Sequence, residues 1–78
     1  MSNYPCHGPH CSNIESKKDG PNHIVIFNTG PDTVNVKIVF ADFLGGDGVS
    51  KRISLFSGEK EKVKIPDHLL GVHRIETS

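Results

Sequence analysis

The hydrophobic and polar positions of this chain change their rhythm near Asp19-Gly20-Pro21. Ahead of that point Ser, Asn, Gly, Pro, Cys, His and Lys surround one isolated Ile14, and no apolar period can be traced. Behind it the pattern becomes that of strands. His23-Ile24-Val25-Ile26-Phe27 is an unbroken apolar run, which predicts a strand buried on both faces, and Asn28-Thr29-Gly30-Pro31-Asp32 closes it with turn residues. Thr33 to Phe40 then alternates: Val34, Val36, Ile38 and Phe40 face one way, Asn35 and Lys37 the other, the period of two of a half-buried strand. The turn between these two runs is expected to join paired neighbours. Gly45-Gly46-Asp47-Gly48 predicts a flexible loop, Val49–Phe56 a further strand with Lys51 and Arg52 exposed, and Ser57-Gly58-Glu59-Lys60 a turn into Glu61–Ile65. Pro66-Asp67 ends that strand, and Val72–Thr77 supplies the last.

No segment supports a helix of useful length, because β-branched residues dominate and Gly or Pro recurs throughout. The expected fold is all-β: a small antiparallel β-sandwich, immunoglobulin-like or jelly-roll-like, over residues 22–78, with a flexible N-terminal arm over residues 1–21. Phe27, Phe40, Phe43 and Phe56 lie in apolar runs and are expected in the core. A core this small is marginal, and open sheet edges would be stabilised by a partner strand or a neighbouring subunit.

Composition narrows the function classes. Nine basic residues balance nine acidic ones, for a formal net charge of zero. That balance argues against a nucleic-acid partner, which calls for an excess of Lys and Arg, and favours association between copies of the chain. Lys60, Lys62 and Lys64 share one strand face, interleaved with Glu59 and Glu61, and read as a solvated face. No apolar run is long enough for a membrane span. Met1 to Asn13 has neither the charged start nor the apolar stretch of a signal peptide. Cysteines in such a chain belong by default to a reducing, cytoplasmic setting, the exception being coat, appendage or virion components released later.

The chemistry concentrates in Cys6-His7-Gly8-Pro9-His10-Cys11. As a zinc site, Cys6, His7, His10 and Cys11 have suitable ligand types, but sequence neighbours such as Cys6 and His7 poorly share one tetrahedral ion, so the segment offers half-sites that need completion from elsewhere. As a disulfide, Cys6 and Cys11 flank a Gly8-Pro9 turn that can bring them within bridging distance. The same cysteines can also bridge to another subunit. A Cys–His nucleophile pair would need a pocket and an orienting third group, which a Gly-Pro segment does not provide, so no catalytic residue is assigned and no enzymatic role is expected.

The stretch from Ile24 to Val39, strand then Asn28-Thr29-Gly30-Pro31-Asp32-Thr33 then strand, resembles the Asn-x-Gly-Pro signature of immunoglobulin-like repeats in bacterial surface proteins. Ser57-Gly58-Glu59 followed by Val63-Lys64-Ile65 is similar to their next hairpin. The resemblance implies a sandwich used for spacing or adhesion. In architecture the chain also resembles subunits of bacterial endospore appendages, small jelly-roll-like proteins without a signal peptide whose Cys-bearing N-terminal connector bonds to other subunits. Cys6 and Cys11 ahead of Lys17-Lys18-Asp19-Gly20 match that plan. Together these features predict a non-enzymatic structural subunit that assembles with copies of itself into a filament, appendage or coat at a cell, spore or particle surface, with Cys6 and Cys11 as attachment residues and no cofactor. The alternative is a small zinc- or ligand-binding module built on the Cys/His cluster.

Overall fold

A computed structural model describes residues 4–78 as two packed β-sheets. The strands are β1 (Cys6–His7), β2 (Ile14–Lys18), β3 (His23–Asn28), β4 (Val34–Ala41), β5 (Asp47–Leu55), β6 (Lys60–Lys64) and β7 (Gly71–Thr77), with one 3-10 turn at Cys11–Asn13. One sheet has the order β1-β7-β4-β5 and the other β2-β3-β6. All pairings are antiparallel except the short parallel match of β1 with β7. The chain is therefore an all-β sandwich.

The inner faces close on one core. Ile24, Ile26, Val63, Ile65 and Ile14 from the smaller sheet side meet Val34, Val36, Ile38, Phe40, Leu55 and Ile75 from the larger. The alternation in β4 is realised as expected, with Val34, Val36, Ile38 and Phe40 buried and Asn35 exposed. Strand β3 departs from expectation. Ile24, Ile26 and Asn28 are buried, but His23, Val25 and Phe27 face outwards and are only half-buried, because among the described residues no layer covers the outer side of the three-stranded sheet.

Two further differences concern connectivity. The segment read as a free arm is built into both sheets: β1 adds to β7, and β2 pairs along its whole length with β3, from Ile14 opposite Asn28 to Lys18 opposite Ile24. Ile14 and Ser16 point into the core. The physical reason is that β2 supplies a missing edge to β3 through backbone hydrogen bonds, which composition does not reveal. The turn at Asn28–Asp32 does not join paired strands, since β3 and β4 lie in different sheets, and the link from β5 to β6 crosses between sheets as well. The hairpins are β2–β3 and β4–β5.

Asn28 organises that crossing. It is fully buried, and its amide Nδ2 donates to the carbonyls of Asp32 (2.7 Å) and Leu55 (3.0 Å) while Oδ1 accepts from the Gly30 N–H (3.0 Å). One side chain thus fixes an arch and ties it to the end of β5. Gly30 has no positive φ; its constraint is space, since a Cβ there would lie 2.7–2.8 Å from the Asn13 side chain.

Candidate functional site

The Cys/His segment folds back against the end of β7. Cys6 and Cys11 are joined by a disulfide, with their Cα atoms 5.8 Å apart. Gly8 carries a φ of +121°, a conformation that suits glycine, and a Cβ at this position would run into the carbonyl of Thr77. Pro5 accepts from the Ile75 N–H (2.8 Å), and the His10 N–H donates to Thr77 Oγ1 (3.1 Å). Tyr4 and Cys6 pack at the margin of the core, and burial pushes the Tyr4 phenol above its ordinary pKa. The loop is thus docked on β7 by one backbone hydrogen bond just before Cys6 and by one to the Thr77 hydroxyl just before Cys11.

This geometry bears on the sequence-predicted ligands Cys6, His7, His10 and Cys11. The two sulfurs are bonded to each other, so neither is a thiolate that could hold zinc in this form. His7 is exposed on β1, and His10 is half-buried with its backbone engaged by Thr77. Among the described residues no three His, Cys, Asp or Glu side chains are grouped to share a metal ion. The same pairing leaves no free cysteine for a bridge to another chain.

A second feature lies at the opposite end of β7. The β4–β5 hairpin turns at Asp42, whose carboxylate accepts from the N–H groups of Leu44 and Gly46 (both 2.9 Å). The turn lifts Phe43 and Leu44 into solvent, at 71% and 95% exposure. The link before β7 lies against its base: the Leu70 N–H donates to the Ala41 carbonyl, and the Leu69 side chain sits where Gly48 would carry a Cβ. Leu70 and Val49 are exposed beside it, at 63% and 53%. Phe43 and Phe56 were expected in the core; both are exposed, because each stands just beyond a strand end, outside the overlap of the two sheets. An apolar pair set inside a Gly-rich turn, Phe43-Leu44-Gly45-Gly46, was the sequence signal for this end.

Next to these side chains runs β5, the longest strand. It pairs with β4 along one side, and among the described residues no strand pairs with its other side, an edge of the four-stranded sheet. On that sheet's outer surface Arg74 donates from Nε to Glu76 (2.7 Å) and from Nη2 to Asp47 (2.9 Å). Its guanidinium holds both carboxyls below their ordinary values. No known protein family, curated protein or solved structure matches the chain.

Proposed function

We propose that the chain is a non-enzymatic structural subunit that associates with copies of itself through the overhanging end of the four-stranded sheet. The observation that carries this reading is the exposure of Phe43, Leu44, Val49 and Leu70 at one end of the four-stranded sheet, whose β5 edge pairs with no other described strand. Grouped apolar side chains and a long unpaired edge are the two surface features that most favour association. A net charge of zero adds little repulsion between copies.

The charges on β5 favour a head-to-tail contact. A two-fold pairing of β5 with itself centred on Lys51 and Arg52 would set like charges against each other. Pairing β5 with the far edge of the next copy's sheet, where the N-terminal segment lies against β7 at Ile75–Thr77 and leaves Gly71–Arg74 beyond the pairing with β1, avoids this and continues one sheet from copy to copy. Such a heterologous contact gives an open polymer where its rotation does not close into a ring. The N-terminal segment connects neighbours by exchange: its pairings with β7 and β3 are backbone contacts that another copy's segment satisfies equally well. The Cys6–Cys11 bridge supports a location at an oxidising surface.

Sedimentation velocity over a wide concentration range tests the reading. The wild-type chain should form assemblies that grow with concentration, and Leu44→Asp combined with Val49→Lys should remain monomeric with an unchanged circular dichroism spectrum. A wild-type chain that stays monomeric up to millimolar concentration refutes the proposal.

A further inference from the structure

The zero net charge conceals a segregation of charge between surfaces. On the outer face of the three-stranded sheet, strand pairing places Glu15, Phe27 and Lys60 in one row, Lys17, Val25 and Lys62 in the next, and His23 beside Lys64 in the third. The central strand therefore presents two rings and a Val, all half-buried, between flanking strands that carry Lys17 on one side and Lys60, Lys62 and Lys64 on the other. The acidic groups on this face are Glu15 and Asp19, the latter 3.3 Å from the Lys62 Nζ. Most remaining carboxylates, those of Asp32, Asp42, Glu59 and Asp67, lie in the connections between strands. The outer face of the other sheet carries its cations closer to carboxylates: Arg74 engages Asp47 and Glu76, and Lys37 lies between Glu76 and Arg52.

From this arrangement we infer that the outer face of the three-stranded sheet is a binding surface for single-stranded nucleic acid. Two properties point to that ligand in particular. Alternate residues on one face of a strand lie about 6.8 Å apart, so Lys60, Lys62 and Lys64 form a straight row of cations at a spacing comparable to that of successive phosphates in a stretched strand. Next to that row, Phe27 exposes part of its ring in a shallow groove of roughly 480 Å3, lined also by Glu15, Ser16, Lys17, Val25, Gly58 and Lys60, so that two lysines face one carboxylate around the ring. A cationic track beside a ring that a base can stack on is the combination by which single strands are held without sequence preference. A polyanion without bases would use the lysines and leave the ring idle. This face is separate from the β5 edge and the hairpin end, so the inference does not depend on self-association.

Fluorescence anisotropy with a labelled oligothymidylate of about twelve nucleotides tests it, in low and moderate salt. Wild type should bind, and affinity should fall steeply as salt rises. Lys60→Glu with Lys62→Glu should weaken binding at least tenfold, and its conservative counterpart, Lys60→Gln with Lys62→Gln, should lower the log–log salt slope by about 1.4. Phe27→Leu, which keeps an apolar group at the site, should weaken binding about fivefold or more by removing the stacking surface. Lys51→Glu with Arg52→Glu, on the other sheet, should bind as wild type does. Thermal melts confirm that each variant is folded. Absence of binding by folded wild type overturns the inference. So does a Phe27→Leu variant that binds as wild type does, or inorganic polyphosphate that competes as well as the oligonucleotide per unit charge.

Discussion

Truncating Asn28 to Ala should remove a large share of the stability of this domain. The amide makes three hydrogen bonds from a fully buried position, and their partners differ in what happens afterwards. Asp32 is exposed, so its carbonyl regains water; Gly30 and Leu55 are buried, so the N–H of one and the carbonyl of the other lose a partner. Each buried group left unsatisfied costs roughly 1–3 kcal/mol, which gives about 2–5 kcal/mol for the pair once partial relaxation is allowed. A domain of this length has about 4–12 kcal/mol in total. Urea denaturation followed by circular dichroism should show the loss, as should a melting temperature lowered by roughly 10 °C or more. Asn28→Asp sharpens the test. One carboxylate oxygen can still accept from Gly30, but the other replaces a donor and faces the carbonyls of Asp32 and Leu55. Burial and those carbonyls raise the carboxyl's pKa in the folded state, so the Asp variant should be most stable when protonated and should lose stability as pH rises through the carboxyl range. A stability change below about 0.5 kcal/mol in Asn28→Ala, or an Asp variant equal to wild type at neutral pH, would refute the role given to this side chain.

Two other perturbations probe the N-terminal loop and the outer face of the larger sheet. Cys6→Ser with Cys11→Ser should cost no more than about 2 kcal/mol, because the loop closed by the bridge is short. Its effect should be local, so emission from Tyr4, the only tyrosine in a chain without tryptophan, should change before the sheets unfold; global unfolding of this variant at room temperature would contradict that. Arg74→Gln should flatten the acid limb of the stability profile. Arg74 lowers the folded-state pKa of Asp47 and Glu76, so its contribution is present above their ordinary values and disappears as pH falls through the lowered ones. Urea midpoints of wild type and variant should therefore converge in acid and at high salt, and a gap independent of pH would show that Arg74 acts through packing instead.

The fold was legible where side-chain pattern and backbone pairing agree. In β4 the alternation of Val34, Val36, Ile38 and Phe40 with Asn35 marks the core face directly. In β2 the pattern fails because Ser16 occupies a core-facing position opposite Ile26, its hydroxyl without a hydrogen-bond partner among the described residues, leaving Ile14 as the only apolar inward residue of the strand. A strand with one apolar anchor is held by its neighbour's backbone, and sequence carries little trace of that. The arch at Asn28–Asp32 was legible as a turn but not as a crossing, since the same residue types serve both; the distinction lies in Asn28 reaching Leu55, a contact 27 residues away. The disulfide was one of the open readings of Cys6 and Cys11. The apolar end was missed because Phe43 and Leu44 extend the apolar run of β4 past the end of the strand.

The folded N-terminal segment alters what a connecting role requires. A free tail would gain contacts only on reaching a neighbour, at an ordering cost of roughly 1–2 kcal/mol per residue. Here the segment is already ordered on its own chain, with Ile14 in the core and β2 paired to β3, so docking on a neighbour must first break those contacts. Exchange resolves the difficulty in principle, since the contacts broken in one copy are remade in the next and the net cost falls to that of the hinge at residues 19–22. The Cys6–Cys11 bridge travels with the exchanged segment because both sulfurs lie within it. The bridge therefore shapes the connector without fixing which copy it joins, whereas the open β5 edge and the hairpin end supply contacts that need no exchange. In the proposed assembly, contact through the sheet end would for that reason be the faster of the two routes, and segment exchange the one that would make it slow to come apart.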